Sequence, residues 1–487
     1  MEKKTNVKLV TVGVFIATFM TAIEGTIVTT AMPTIVGLLH GMEIMNWVFS
    51  IYLLTNAMIT PIYVKLADKV GRKPVFVMGI VIFVIGSTLC GLSNSMLTLI
   101  ISRGIQGVGA GAIMPVCLTI IADLYDLEKR AKVLGLNSAA WGISSVFGPL
   151  LGGFIVDAFS WHWIFFINVP IGIGLIFLMQ HYFVEERRST QHKKMDLAGS
   201  LALMLVLLSL LLGFQLLGDD GLTLKVWLLF AATLGFLVLF IKVEQTAADP
   251  VINLKLFNNR AFVLFNAVAA LISGFLMGID VYIPMWMQGV LGKSAAIGGL
   301  VLAPLSIVWM LGSFLAGRWL AKMAAKKVLL LGLVIILAGT GLILVLPQSA
   351  SFWAFFLVAS IWGIGYGLAM TTTTVESQNS VAPAEIGVAT SFNTLSRTIG
   401  QTIMVSVFGI ILNTEIARHL KTMTVKDPDI MNKLINPQTA QLIETNLRQA
   451  LRGVLFSGLH TVYLSGVGLL VAGIILAYGI SQKSDRL

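Results

Sequence analysis

Charge is scarce in this sequence. Asp, Glu, Lys and Arg make up 11% of its 487 residues, against about 25% in a soluble protein. With a mean hydropathy of +0.90 as well, lipid is the solvent expected for most of the chain. Cysteine is scarce too: Cys90 and Cys117 are the only two. Both lie in apolar runs without disulfide or metal spacing, which excludes a disulfide framework and a cysteine metal site. His40, His162, His181, His192, His419 and His460 are scattered and show no ligand spacing. No phosphate-binding loop of the ATPase type occurs. Gly107-Val108-Gly109-Ala110-Gly111 is glycine-rich but sits inside an apolar run, where small residues serve close helix packing. The sequence therefore offers no cofactor, no metal and no direct use of ATP. The net charge of +10 comes without an aromatic-basic patch, so nucleic acid is not an expected partner.

Long apolar runs are what the sequence does have. Stretches able to span about 30 Å of hydrocarbon fall at 8–36, 46–66, 74–93, 96–123, 133–157, 163–183, 197–217, 225–243, 262–288, 296–320, 327–346, 352–377, 386–413 and 455–480. The expected fold is an all-α polytopic membrane protein with fourteen transmembrane helices. The basic start, Met1 to Lys8, precedes a run that Glu24 interrupts and that lacks a small-residue cleavage site. It reads as a retained first helix rather than a signal peptide. Lys69, Arg72, Lys73, Lys129, Arg130, Lys132, Arg187, Arg188, Lys322, Lys326 and Lys327 gather in loops of one side. The positive-inside rule then puts both termini in the cytoplasm. One long outer loop, 413–454, contains Asp427-Pro428-Asp429 and a helical spacing of Leu442, Ile443, Leu447 and Leu451, which predicts a short amphipathic surface helix.

Leu66-Ala67-Asp68, Arg72-Lys73, Gly79 and Gly86 match Leu320-Ala321-Lys322, Lys326-Lys327, Gly332 and Gly339. This weak repeat predicts two six-helix bundles, 1–185 and 251–487, with a two-helix insert at 186–250. Parallel repeats of this type build one group of secondary transporters.

A few residues stand out against the apolar background. Glu24 lies within the first run, where a charge costs about 2.5–3.5 kcal/mol. Ala17, Thr21, Val28 and Ala31 share its helical face, which suits a cavity wall. A carboxylate there can bind a proton or a cationic substrate in competition, or it can serve packing alone. Asp280 has the same logic and shares a face with Asn266, Ser273, Met277 and Pro284; Met277 suits an adaptable apolar surface. Arg103 cannot lose its proton and needs a partner, and Arg397 raises the same question. Glu376 is placed near an inner helix end. Asp68, Arg72, Asp123 and Arg130 share one membrane face, as a conformational latch or as a solvated charge cluster worth about 0–1 kcal/mol. Gly142 to Gly153 carries Gly148-Pro149 and Gly152-Gly153 inside an apolar run, and by itself reads as a kinked, closely packed helix.

Val64-Lys65-Leu66-Ala67-Asp68-Lys69-Val70-Gly71-Arg72-Lys73 resembles the signature between the second and third helices of the major facilitator superfamily. Val64 stands where that pattern has Gly. Ile23 to Pro33, with Glu24 in place of the usual Asp, resembles the first-helix signature of the superfamily's fourteen-helix drug:proton antiporters. Arg103-Gly104-Ile105-Gln106-Gly107, Trp161 to Pro170 and Pro284-Met285-Trp286-Met287-Gln288 are similar to further patterns of those proteins. Gly135, Gly148, Pro149, Gly152 and Gly153 resemble their antiporter motif, with Ser144 substituting for one Gly. The resemblance implies a role in proton coupling for Arg103, a conformational role for Asp68 and Arg72, and export rather than import.

The expectation is a proton-coupled multidrug efflux antiporter of the cell membrane, not an enzyme. It would export lipophilic, typically cationic compounds by alternating access, as a monomer driven by the proton gradient. Glu24, Asp280 and Arg103 are the candidate coupling residues; Glu24, Gln106, Met277, Asp280 and Asn393 are the candidate substrate residues. The alternatives are a proton-coupled exporter or flippase of a lipid or glycolipid, and a non-transporting membrane sensor.

Overall fold

The computed structural model describes residues 5–125, 133, 143–144, 147–185, 196–247, 250, 252, 254–382, 386–423, 427 and 429–480. Its long helices are α1 (Val7–Leu39), α2 (Asn46–Val70), α3 (Arg72–Gly91), α4 (Met96–Leu124), α5 (Phe147–Ala158, the described part), α6 (Asn168–Tyr182), α7 (Leu197–Asp220) and α8 (Leu224–Thr246). They continue with α9 (Arg260–Met285), α10 (Ala303–Leu320), α11 (Ala325–Leu344), α12 (Phe352–Asn379), α13 (Ile386–Leu420) and α14 (Thr445–Tyr478). Among the described residues, 12 helices are long and apolar enough to cross a membrane. α2 and the described part of α5 are not among those 12. In hydrocarbon every backbone N–H and C=O must be satisfied within the segment, which selects helices for such runs.

The outward faces are as apolar as the cores. Leu228 and Leu234 of α8 are 60% and 65% exposed, and Trp353 of α12 is 71% exposed. In water such surfaces would be docking or aggregation faces; here they are what lipid tails contact.

Contacts divide the chain into two units. The first comprises Met1–Val28, Trp47–Gly213 and Leu222–Val251. Inside it α3 packs against α4 and α6, around buried residues that include Phe76, Ile80, Phe83, Ile113 and Ile120. The second comprises Thr29–Asn46, Phe214–Gly221 and Ile252–Leu487. There α12 packs on α10 and α11, α9 on α13 and α14, and α11 and α13 on α14.

The repeat read in the sequence reappears in side-chain packing. In the first unit a Cβ on Gly86 would collide with the Gln106 backbone nitrogen, and one on Gly107 would lie 2.5 Å from the Tyr52 carbonyl. In the second, a Cβ on Gly339 would lie 2.8 Å from Trp362, and one on Gly363 would lie 2.5 Å from the Leu305 carbonyl. The hydrogen bond from Gln106 Nε2 to Ser87 Oγ (3.1 Å) has its counterpart from Trp362 Nε1 to Thr340 Oγ1 (3.2 Å). The two units share one way of packing helices and fill it with different chemistry.

Two expectations about the long outer loop are corrected. α13 runs on to Leu420 and α14 starts at Thr445, so the intervening segment is shorter than 413–454. There is no separate amphipathic helix over 442–451. Leu442 is 84% exposed in a turn, whereas Leu451 is fully buried within the first turns of α14. Charged residues interrupt the hydropathy there without interrupting the helix. The helices that do form lie earlier, at Ile430–Ile435 and Pro437–Ala440.

Candidate functional site

The first unit holds a polar network closed off from solvent. α4 begins at a capping box: Ser95 Oγ accepts from the Thr98 nitrogen, and Thr98 Oγ1 accepts from the Ser95 nitrogen. From that fixed start, Arg103 and Gln106 fall one turn apart on the same face. Arg103 Nη1 lies 2.6 Å from Glu24 Oε1 and 2.7 Å from Gln106 Oε1. Its Nε donates to the Val48 carbonyl at 3.2 Å, and the guanidinium carbon sits 4.0 Å above the Tyr52 ring. The other Glu24 oxygen accepts from Asn168 Nδ2 at 2.7 Å, and the same nitrogen donates to Ser87 Oγ at 2.9 Å. Glu24 and Arg103 are each only 1% exposed. A single buried charge would be costly, but here the charges are matched, and both Glu24 oxygens and the Arg103 Nε and Nη1 are hydrogen-bonded.

The second unit holds the other intramembrane carboxylate in different surroundings. Asp280 of α9 is half-buried, and among the described residues it has neither a hydrogen-bond partner nor an ion-pair partner. The hydroxyls of Tyr366 and Tyr463 lie within its electrostatic reach. Tyr366 donates to the Ile272 carbonyl and stacks on Trp309 at 5.4 Å. Tyr463 stacks on Trp362 with ring centroids 6.1 Å apart, and its buried hydroxyl has no hydrogen-bond partner among the described residues. Trp286 lies 6.1 Å from Tyr463. Just beyond Asp280, Pro284 lacks the N–H of a regular helix, and the chain continues as a π turn over Trp286–Val290. That turn aims Gln288 at α1, where its Nε2 donates to the Thr30 carbonyl at 3.0 Å, next to the in-helix Pro33.

The remaining sequence candidates fall in three groups. Gln106 is fully buried and its polar atoms are engaged by Arg103, Ser87 and Cys90. Asn393 is 2% exposed and bridges Asn266 Oδ1 (2.9 Å) and Thr374 (3.3 Å). Met277 is 7% exposed on α9. Among the latch residues, Arg72 Nε pairs with Asp123 Oδ2 at 2.7 Å. Asp68 lies in α2, its side chain outside the described residues; Arg130 and Gly135 lie wholly outside them. Of the antiporter motif, Gly148, Pro149, Gly152 and Gly153 are buried. A Cβ on Gly148 would collide with Thr26 Oγ1, and one on Gly152 would lie 2.7 Å from the Ile27 carbonyl. This stretch therefore packs against α1 one turn beyond Glu24. Arg397 on α13 is half-buried. Glu376 is 8% exposed and accepts from Asn379 Nδ2 at 3.1 Å.

Sequence reasoning gave no role to Asn168, Ser87, Tyr52, Tyr366 or Tyr463, since an uncharged polar residue in an apolar run carries little signal of its own. It also missed Glu185. That carboxylate accepts from the backbone nitrogens of Arg72 (2.6 Å) and Lys73 (3.1 Å), capping α3 beside the Arg72–Asp123 pair.

Comparison with known proteins decides the family. The profile described as Major Facilitator Superfamily matches residues 14–405. The chain belongs to that superfamily. It is 34% identical to the multidrug transporter protein MdtP of Bacillus subtilis (strain 168), over 97% of this chain and 93% of that protein. It is 36% identical to multidrug resistance protein 3 of the same strain, over 84% of this chain and 80% of that one. The multidrug efflux pump SdrM of Staphylococcus aureus (strain N315) is 32% identical, over 82% and 88%. Among solved structures, a bacterial homolog of the human lysosomal transporter Spinster, inward-facing and occupied, superposes with a TM-score of 0.67. It covers 98% of both chains at 18% identity. An auto-inhibited POT family peptide transporter gives 0.65 at 15% identity, covering 96% of this chain and 97% of that one. At those identities the shared property is the major facilitator fold. Membership makes the protein a multi-pass membrane transporter rather than an enzyme.

Proposed function

We propose that this major facilitator protein is a multidrug exporter that exchanges protons for lipophilic cations by alternating access. Its similarity to multidrug transporters and efflux pumps supports drug-like substrates. The observation that carries the exchange mechanism is the contrast between two intramembrane carboxylates. Glu24 is balanced by Arg103 at 2.6 Å, whereas Asp280 lies within electrostatic reach of the Tyr366 and Tyr463 hydroxyls and has no cation partner among the described residues. A bare carboxylate walled by aromatic rings attracts a lipophilic cation through charge and ring faces together. A proton on the same oxygen removes that attraction, so the two ligands exclude each other. Each charge that crosses the membrane potential contributes about 2.3 kcal/mol per 100 mV, enough for a few charges to drive accumulation against a gradient.

In this reading the chain has fourteen spans, with bundles at 1–185 and 251–487 and the insert at 186–250. It resides in the cell membrane as a monomer, with both termini in the cytoplasm, following the basic loops. Inverted vesicles loaded with a pH-sensitive dye test the coupling. Drug addition should release protons from vesicles carrying the native chain and not from vesicles carrying Glu24→Gln. Full release by Glu24→Gln would remove Glu24 from the coupling path.

A further inference from the structure

The network around Glu24 is oriented from one backbone carbonyl. Ser87 Oγ donates its proton to the Phe165 carbonyl at 2.9 Å, so toward its other neighbours it can only accept. Gln106 and Asn168 must then both turn their NH2 groups to Ser87, as they do at 3.1 and 2.9 Å. For Gln106 this leaves Oε1 facing Arg103. For Asn168 it leaves the second amide hydrogen facing Glu24 Oε2, at 2.7 Å. The two oxygens of one carboxylate are thus divided between the Arg103 guanidinium and an amide whose orientation is fixed from behind.

Arg103 also has supports that do not involve Glu24. They are Gln106 Oε1 at 2.7 Å, the Val48 carbonyl at 3.2 Å and the Tyr52 ring at 4.0 Å. These contacts do not depend on the charge of Glu24, so part of the guanidinium's support remains when Glu24 takes up a proton. We propose that Asn168 is a positioning residue. It holds Glu24 in its ionised placement and sets the pH at which the Glu24–Arg103 pair opens, and Ser87 fixes the direction of the Asn168 amide. This rests on the proton-coupling reading of Glu24. The titratable groups in electrostatic reach of Glu24 among the described residues are Arg103, Tyr52 and Cys90. Of these only Arg103 is charged at neutral pH, and Asn168 adds a directed donor without adding charge.

The test uses the full-length protein in proteoliposomes and reads drug-induced proton release across a pH series. Asn168→Asp keeps the shape and replaces the donor amide by a carboxyl group; Asn168→Ala removes the side chain; Ser87→Ala leaves both side chains in place and removes the acceptor that orients the Asn168 and Gln106 amides. A donor to the carboxylate favours the ionised form. The midpoint of release should therefore move to more alkaline pH by about one unit in Asn168→Ala, a tenfold change in proton affinity. The shift should be larger in Asn168→Asp and smaller in Ser87→Ala. A purely structural Asn168 would lower yield or amplitude and leave the midpoint in place. Unchanged midpoints in both Asn168 variants, with release abolished in Glu24→Gln, would overturn the positioning role and leave the coupling reading standing. Full release in Glu24→Gln would overturn both.

Discussion

Glu24 and Asp280 are the same chemical group held in opposite conditions. The first sits against a guanidinium with both oxygens occupied; removing one partner from such a buried pair typically costs about 3–5 kcal/mol. The second has no partner to lose among the described residues, so replacing it should spare stability and change recognition. Asp280→Asn is expected to weaken binding of a monovalent lipophilic cation about tenfold, close to 1.4 kcal/mol. Binding of a neutral compound of similar size should stay the same. Quenching of tryptophan fluorescence on ligand titration measures this, and equal losses for both compounds would refute the assignment. Both carboxylates and Arg103 were legible in the sequence because charge inside an apolar run is rare and expensive. Asn168, Ser87 and Tyr463 were not. What brings them to the candidate sites is a crossing of helices from distant parts of the chain, and spacing along one run does not encode that.

At the scale of elements, close approach is bought with glycine. Gly148 of α5 leaves no room for a methyl group against Thr26 of α1, and forcing one in costs about 1–3 kcal/mol. Gly148→Ala should lower the melting temperature in detergent and slow export. Shortening the opposing side chain with Thr26→Ala should restore part of both. Thermal unfolding of the two single variants and the double variant measures the coupling, and strict additivity would show that the contact does not matter. Helix existence was legible from apolar length, and helix ends were less so. Hydropathy marks where lipid contact stops, whereas the backbone ladder continues as long as its hydrogen bonds do. α14 therefore begins at Thr445, before the apolar run that predicts it, and α13 extends past its run to Leu420.

At the scale of the whole chain, distant segments meet on the outer side proposed for the second unit. The Met42 nitrogen donates to Asn432 Oδ1 at 2.9 Å, and Gly37 packs against Asn436. The Ile430–Ile435 helix, which carries Asn432 and ends just before Asn436, is pinned by Asp427, which pairs with Lys433 at 2.6 Å and accepts from the Asp429 nitrogen at 2.9 Å. The Lys433 ammonium, helped by that backbone donor, holds the Asp427 carboxyl below the usual carboxylate range, and Asp427 holds Lys433 above its own usual value. A depressed carboxyl contributes above its unfolded value of about 3.9 and loses that contribution as pH falls through the folded value. The raised Lys433 contributes at neutral pH and loses its share only as pH rises through its folded value. Amide exchange over 427–440, corrected for intrinsic rates, should show protection at pH 7 and at pH 5 and clear loss at pH 3. Protection that persists at pH 3 would show that this pair does not hold the segment. The repeat was visible as a short loop-and-glycine match, yet its divergence was not. Gln106 and Trp362 occupy corresponding places, one hydrogen-bonded within an ionic network and the other stacked in an aromatic wall.

That divergence has an evolutionary consequence. None of the side chains named around Glu24 is among those named around Asp280. Substitutions at Tyr366, Tyr463 or Trp286 that admit new toxic compounds leave the ionic network of the first unit intact. On the proposed reading, selection under changing antibiotics can therefore reshape the aromatic surroundings of Asp280 while the Glu24–Arg103 network is inherited unchanged.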